Sequence, residues 1–177
     1  MKIKIKMSKV AALLVLITTI SCSVQNQTST DYYKSLEPNL NVRFYDKLDT
    51  LRNQYDASIS TRSFVKLFTD KNDVDYTKPI AIKMTKNKMY LHFSDVQKKE
   101  FVLQFYGKLH KQKFVFYTNY KTINFPVLFM SKQMERFKIQ ISENQELLIE
   151  KYNVNEGMML CFGAGNSYEN LYRFKIL

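Results

Sequence analysis

The sequence predicts an all-β protein: an antiparallel meander of eight to ten strands closed as a barrel, with a two-sheet sandwich as the alternative arrangement. Three observations carry that expectation. From about Pro79 onward apolar and polar residues alternate with period two. Such runs recur every ten to twelve residues between short polar connections. No helical layer able to cover a sheet accompanies them, so the half-wet sheet must close over its own apolar face.

In chain order, the first segment reads as a leader, with an amphipathic or buried first helix as the alternative. It carries Lys2, Lys4, Lys6 and Lys9 with no acid, then an uncharged run of eleven residues over 10–20, VAALLVLITTI. A basic start, a short apolar stretch and a small residue form an export signal. Eleven residues in a helix span about half of a ~30 Å hydrocarbon core, too little for a permanent membrane crossing. Thr19-Ile20-Ser21-Cys22 closes the run and resembles the lipobox of bacterial lipoproteins. The resemblance implies a diacylglyceryl group on the Cys22 sulfur and cleavage after Ser21, although Thr19 departs from the commoner leucine. Two or three acyl chains on one residue anchor firmly where one alone is marginal, at ~0.8 kcal/mol per buried methylene. The expected organisation is therefore a signal peptide over 1–21, the lipidated cysteine with a polar flexible tether over 22–36, and one β-barrel domain over 37–177.

Removing residues 1–21 leaves 156 residues and lowers the formal charge from +11 to +7. That length suits a single domain burying roughly two-thirds of its unfolded surface. The positive charge favours acidic surfaces such as phospholipid headgroups or lipopolysaccharide phosphates. The lysines are scattered singly or in pairs and read first as a solvated surface. An exported chain is not expected to meet nucleic acid. With Cys22 acylated, Cys161 in MMLCF has no partner; it reads as a small buried hydrophobe, and a disulfide scaffold is excluded.

Residues 41–58 admit two readings. Phe44, Leu48, Leu51 and Tyr55 have helical spacing and give a short N-terminal helix, whereas Val42 to Tyr45 equally begins a first strand. Residues 63–68, SFVKLF, read as a strand, and 69–78 as an acidic polar loop. Then the alternation takes over: Met89, Leu91 and Phe93 share a face, as do Phe101, Leu103, Phe105, Gly107 and Leu109, with Val102, Gln104, Tyr106 and Lys108 opposite. Phe137, Ile139 and Ile141 repeat the pattern, and Tyr172, Phe174 and Ile176 end it. Turns are expected at 86–87, 110–112, 142–145 and 153–157, and a longer connection at Gly163, Gly165 and Asn166. Pro126 marks an edge, a strand start or a bulge.

The whole chain after the leader resembles small lipoproteins common in the Bacteroidetes. The resemblance rests on the lipobox, YDKLDTL, YGKLHKQKFVFY, FPVLFMSKQMERFKIQIS, ENQELLIEKY and FGAGNSYENLYRFKIL. It implies a lipocalin-like barrel and an envelope location. Asp49-Thr50-Leu51 resembles the short O-glycosylation motif of secreted proteins from the same group. Ser23 after the cysteine, in place of the aspartate of inner-membrane retention in enteric bacteria, favours the outer membrane.

No catalytic constellation can be assembled. His92 and His110 are the two histidines, and neither stands at metal-ligand spacing; both read as surface residues. No G-x-S-x-G, S-x-x-K or H-E-x-x-H occurs, and GAGNS lies between strands, where no helix amino end can hold a phosphate. Asp70, Asp73 and Asp75 lack the glycine and glutamate of an EF-hand and read as a solvated loop, with a weak calcium contact as the bolder alternative. The expectation is a non-enzymatic, lipid-anchored envelope protein with no cofactor or metal. Its binding role is to carry a small apolar ligand or lipid among aromatic runs such as FVFYTNY and LQFYGKL. The alternative is an interaction module engaging another envelope protein through exposed Tyr106, Lys108 and Tyr117.

Overall fold

Among the described residues, the backbone reverses between long strands without glycine in the left-handed region. Lys111 and Gln112 both take positive φ (45° and 64°), the pairing a two-residue hairpin needs to follow the right-handed strand twist. Gln145 (57°), between Ile141 and Glu146, and Leu160 (47°), after Met159, also take positive φ, and no described glycine does.

The structure is a computed structural model and describes residues 25–46, 49–52, 59–125, 129–160 and 162–177. Its strands are β1 (Gln25–Gln27), β2 (Leu40–Phe44), β3 (Asp49–Arg52), β4 (Ile59–Arg62), β5 (Ile80–Met84) and β6 (Lys88–Ser94). They continue with β7 (Glu100–His110), β8 (Lys113–Phe125), β9 (Phe129–Ile141), β10 (Glu146–Met159) and β11 (Phe162–Lys175). One helix, α1 (Thr30–Ser35), and a 3-10 turn over Val65–Leu67 complete it. The fold is the expected all-β antiparallel meander. Strands β2, β5, β6, β7, β8, β9, β10 and β11 lie side by side in that order, and β3 pairs with β4 apart from them.

The sheet curls into a half-barrel. Its two edges meet at a single bridge between Phe44 and Ile176, reinforced by the Leu177 N–H donating to the Arg43 carbonyl at 2.9 Å. The alternation read from the sequence sets the inner face: Met89, Leu91, Phe105, Phe114, Phe116, Phe137, Ile139 and Ile149 are fully buried, and Tyr172, Phe174 and Ile176 pack against them. Burial of such side chains contributes roughly 1.5–3 kcal/mol each.

Four expectations are corrected. Residues 63–68 form no strand: the buried Asp46 carboxylate accepts the Phe64 and Val65 N–H groups, both at 3.0 Å, and winds the segment into the 3-10 turn. Its phenylalanine, Phe68, then inserts into the half-barrel. The turn expected at 153–157 and the connection at Gly163 to Asn166 are instead continuous strand, with Gly157 opposite Ala164 and Glu156 opposite Gly165. Polar composition there reflects exposure of both sheet faces, not a reversal. Finally, the flexible tether expected to reach 36 gives way earlier. Strand β8 pairs with β7 only from Gly107 to His110, and β1 takes the β7 edge left open at Leu103 to Phe105. Helix α1 follows, capped by Ser29 Oγ accepting the Tyr32 N–H at 3.3 Å, and buries Tyr33 against Ala81, Tyr90 and Val102 on the outer face of the sheet. Of residues 41–58, the described part is strand and not helix: 41–44 belong to β2 and Asp49–Arg52 form β3.

Candidate functional site

The residues singled out by sequence are scattered. Cys22 and Cys161 lie outside the described residues, as does Pro126. His110 is exposed in the β7–β8 hairpin. Asp75 accepts hydrogen bonds from the Thr77 N–H (3.1 Å) and hydroxyl (2.5 Å), and these hold its carboxyl below the usual range. Among the described residues no group of His, Cys, Asp and Glu is placed to hold a metal ion.

The interior of the half-barrel is filled by aromatic side chains. Phe68 stands at its centre, with ring centroids 4.7 Å from Phe105, 4.9 Å from Phe137 and 5.0 Å from Phe64. Phe116 stacks on Phe137 at 5.1 Å and 13°. The phenylalanines of FVFYTNY and LQFYGKL thus serve packing, while Tyr106, Tyr117 and Tyr120 on the same strands are exposed.

Above this core the four long strands continue as a ribbon. Its lowest rung is polar: Lys151 Nζ meets Glu135 Oε1 at 2.6 Å, and the Thr118 hydroxyl also donates to Glu135. A β-bulge between Tyr117 and Asn119 bends β8 away at this level. Beyond it both faces of the ribbon are largely open. At the end, register places Phe125, Phe129, Met159 and Phe162 in one rung across four strands. They are 58 %, 40 %, 63 % and 85 % exposed. The opposite face carries Met130 beside Met158, also exposed. Among the described residues no strand pairs with the outer edge of β11 before Ile176, or with the outer edge of β8 beyond Phe116. Edges and faces of this kind are the surfaces on which chains add strands or dock.

A second surface lies on the outer wall of β2, β5 and β6. Register aligns Arg43, Ala81 and His92 in one row, with small Ala81 as the floor of a groove of about 480 Å³. Helix α1 forms one wall, held down by Lys83 Nζ donating to the Tyr33 and Leu36 carbonyls at 2.8 and 3.2 Å. His92, expected as an outward surface residue, is half-buried beneath that helix and stacks on Tyr33 at 4.9 Å and 16°. Burial pushes its pKa down, Glu100 opposes this, and Lys34, Arg43 and Lys83 add to it. Burial likewise raises the Tyr33 hydroxyl to about 12.

Sequence reasoning missed this groove. The alternation does set Arg43, Lys83 and His92 opposite the core residues of their strands, but only register and α1 bring them together. The class that fold and surfaces define is an all-β half-barrel with a packed interior, an open ribbon and a cationic outer groove. No protein-family profile, curated protein or solved structure matches the chain.

Proposed function

We propose that the protein is a lipid-anchored component of the cell envelope, held at the membrane by acylated Cys22, whose ribbon of β8 to β11 engages a protein partner. The observation that carries this reading is the apolar rung Phe125, Phe129, Met159 and Phe162 on a ribbon open on both faces. An isolated sheet with two wet faces gains little from burial, so a large apolar rung there finds its free energy in an intermolecular contact. The unpaired β11 edge supplies main-chain donors and acceptors for an added strand, and the apolar side chains supply the pockets of specificity. The envelope location rests on the leader and lipobox alone. The carrier reading has less support, because Phe68 and its neighbours occupy the interior in which an apolar ligand would sit.

The test places a photoreactive amino acid at Phe162 or Tyr120, and as control at His110, in cells expressing the full-length chain. A discrete adduct with one other envelope protein from the ribbon positions, and none from His110, is expected. A chain that stays uncrosslinked from the ribbon, or crosslinks equally from His110, overturns the assignment.

A further inference from the structure

We infer that the groove between α1 and the outer wall of β2, β5 and β6 is a binding site for a phosphate-bearing small molecule or headgroup. Five cationic side chains line it, Lys34, Arg43, Lys78, Lys83 and Lys98, against the single carboxylate of Glu100. They come from α1, β2, the loop before β5, β5 and the β6–β7 turn, so positive charge converges from several sides of one concavity and does not lie along a flat face. Two are already engaged with acids: Lys34 with Glu100 at 3.2 Å, and Lys78 with Asp75 at 3.6 Å. Lys83 is spent on the helix carbonyls. Arg43 and Lys98 make no ion pair among the described residues, and Arg43 lines the groove in register with the small Ala81.

The chemistry favours phosphate. A planar carboxylate needs one fork, which Arg43 alone provides, whereas a tetrahedral dianion uses donors from several directions. The volume, about 480 Å³, lies in the range of small-ligand sites and exceeds what a bare anion fills, leaving room for a sugar or glycerol moiety beside the Tyr33–His92 stack. His92 adds a second indication: its Nε2 is buried without a hydrogen-bond partner, and the nearest acid, Glu100, stands at 3.8 Å. The site is on the opposite side of the sheet from the packed core and shares no residue with the ribbon, so its failure and the failure of the partner reading are separate results.

Titration calorimetry of the full-length chain with inorganic pyrophosphate tests it, alongside Arg43→Ala, Lys98→Ala and, as a control on the ribbon, Lys121→Ala. Pyrophosphate is expected to bind, with affinity falling ~10-fold or more in Arg43→Ala and less in Lys98→Ala. Thermal midpoints are expected to stay unchanged, since both side chains are exposed, and Lys121→Ala is expected to bind as the parent does. Cosedimentation with phosphatidylcholine vesicles, with and without phosphatidylglycerol, separates the sources. An Arg43-dependent gain on the anionic vesicles that pyrophosphate competes away identifies a lipid headgroup. Pyrophosphate binding without that gain identifies a soluble phosphate compound. Absence of binding to either probe, or an equal loss in Lys121→Ala, overturns the site.

Discussion

Asp46 and Ser63 are joined by a 2.6 Å hydrogen bond, the Ser63 hydroxyl donating to Asp46 Oδ2, inside a protein where Asp46 is 1 % exposed. The same carboxylate takes the N–H groups of Phe64 and Val65. These donors meet one buried carboxyl group, and the loop that results delivers Phe68 to the barrel centre. Removing the acid leaves buried donors unsatisfied. Asp46→Ala is expected to cost ~3 kcal/mol, with Asp46→Asn less damaging, as read by urea unfolding. Phe68→Ala is expected to cost ~3–5 kcal/mol through the cavity it opens. A Phe68→Ala protein as stable as the parent would mean that the interior is not closed by this ring.

Gly107 and Gly157 form a contrast. A Cβ at Gly107 would meet the Val115 carbonyl oxygen and lie 2.6 Å from the Phe114 ring, whereas at Gly157 its nearest neighbour is the Met130 oxygen at 3.8 Å. Gly107→Ala is therefore expected to destabilise by ~1–3 kcal/mol through overpacking, and Gly157→Ala to change stability by less than ~0.5 kcal/mol. Equal effects in thermal unfolding would show that β7 and β8 do not approach this closely.

His92 makes stability pH-dependent in a defined direction. The groups facing it are Tyr33 and Lys34 from α1, Arg43 from β2, Lys83 from β5 and Glu100 from β7. Its folded pKa lies below the ordinary 6.5, chiefly through burial. The unfolded chain therefore binds the proton first, and stability is lost as pH falls from about 6.5 toward the lower folded value. The His92→Asn variant is expected to show a flatter stability profile over that window. Parallel profiles would remove His92 as the cause.

Phe162 is the most exposed large hydrophobe among the described residues, at 85 %, so it contributes little buried area to the fold. Phe162→Glu is expected to leave the unfolding midpoint within ~0.5 kcal/mol of the parent while abolishing the ribbon crosslink. Loss of stability instead would make the rung part of the fold's own packing.

Cys22→Ser is expected to release the chain from the membrane fraction and to eliminate incorporation of labelled palmitate, because only the cysteine sulfur accepts the diacylglyceryl group. Labelling that persists in this variant would place the acyl chain elsewhere.

Much of the barrel was legible in the sequence because a strand with one buried face must alternate, and Met89, Leu91 and Phe93, or Phe137, Ile139 and Ile141, leave no other solution. The proposed leader rests on the same kind of reason, since an apolar run after lysines is a local property. Where contacts distant in sequence decide, local pattern misled. Residues 63–68 have strand composition, yet Asp46, seventeen residues earlier, winds them into a turn. The polar stretch before α1 looks like a linker, but the β7 edge vacated by β8 recruits it. Gly163 and Gly165 look like a turn because sequence does not say which strands run on past the core. The sequence by itself determined the β class and the inward-facing residues, and it alone carries the signals from which export and lipidation are proposed, all functions of near neighbours along the chain. Only the tertiary structure decided that Phe68 fills the barrel, that β8 to β11 outrun it, and that Arg43, Ala81 and His92 share a row, because strand register and edge pairing are settled by free energies summed across the sheet.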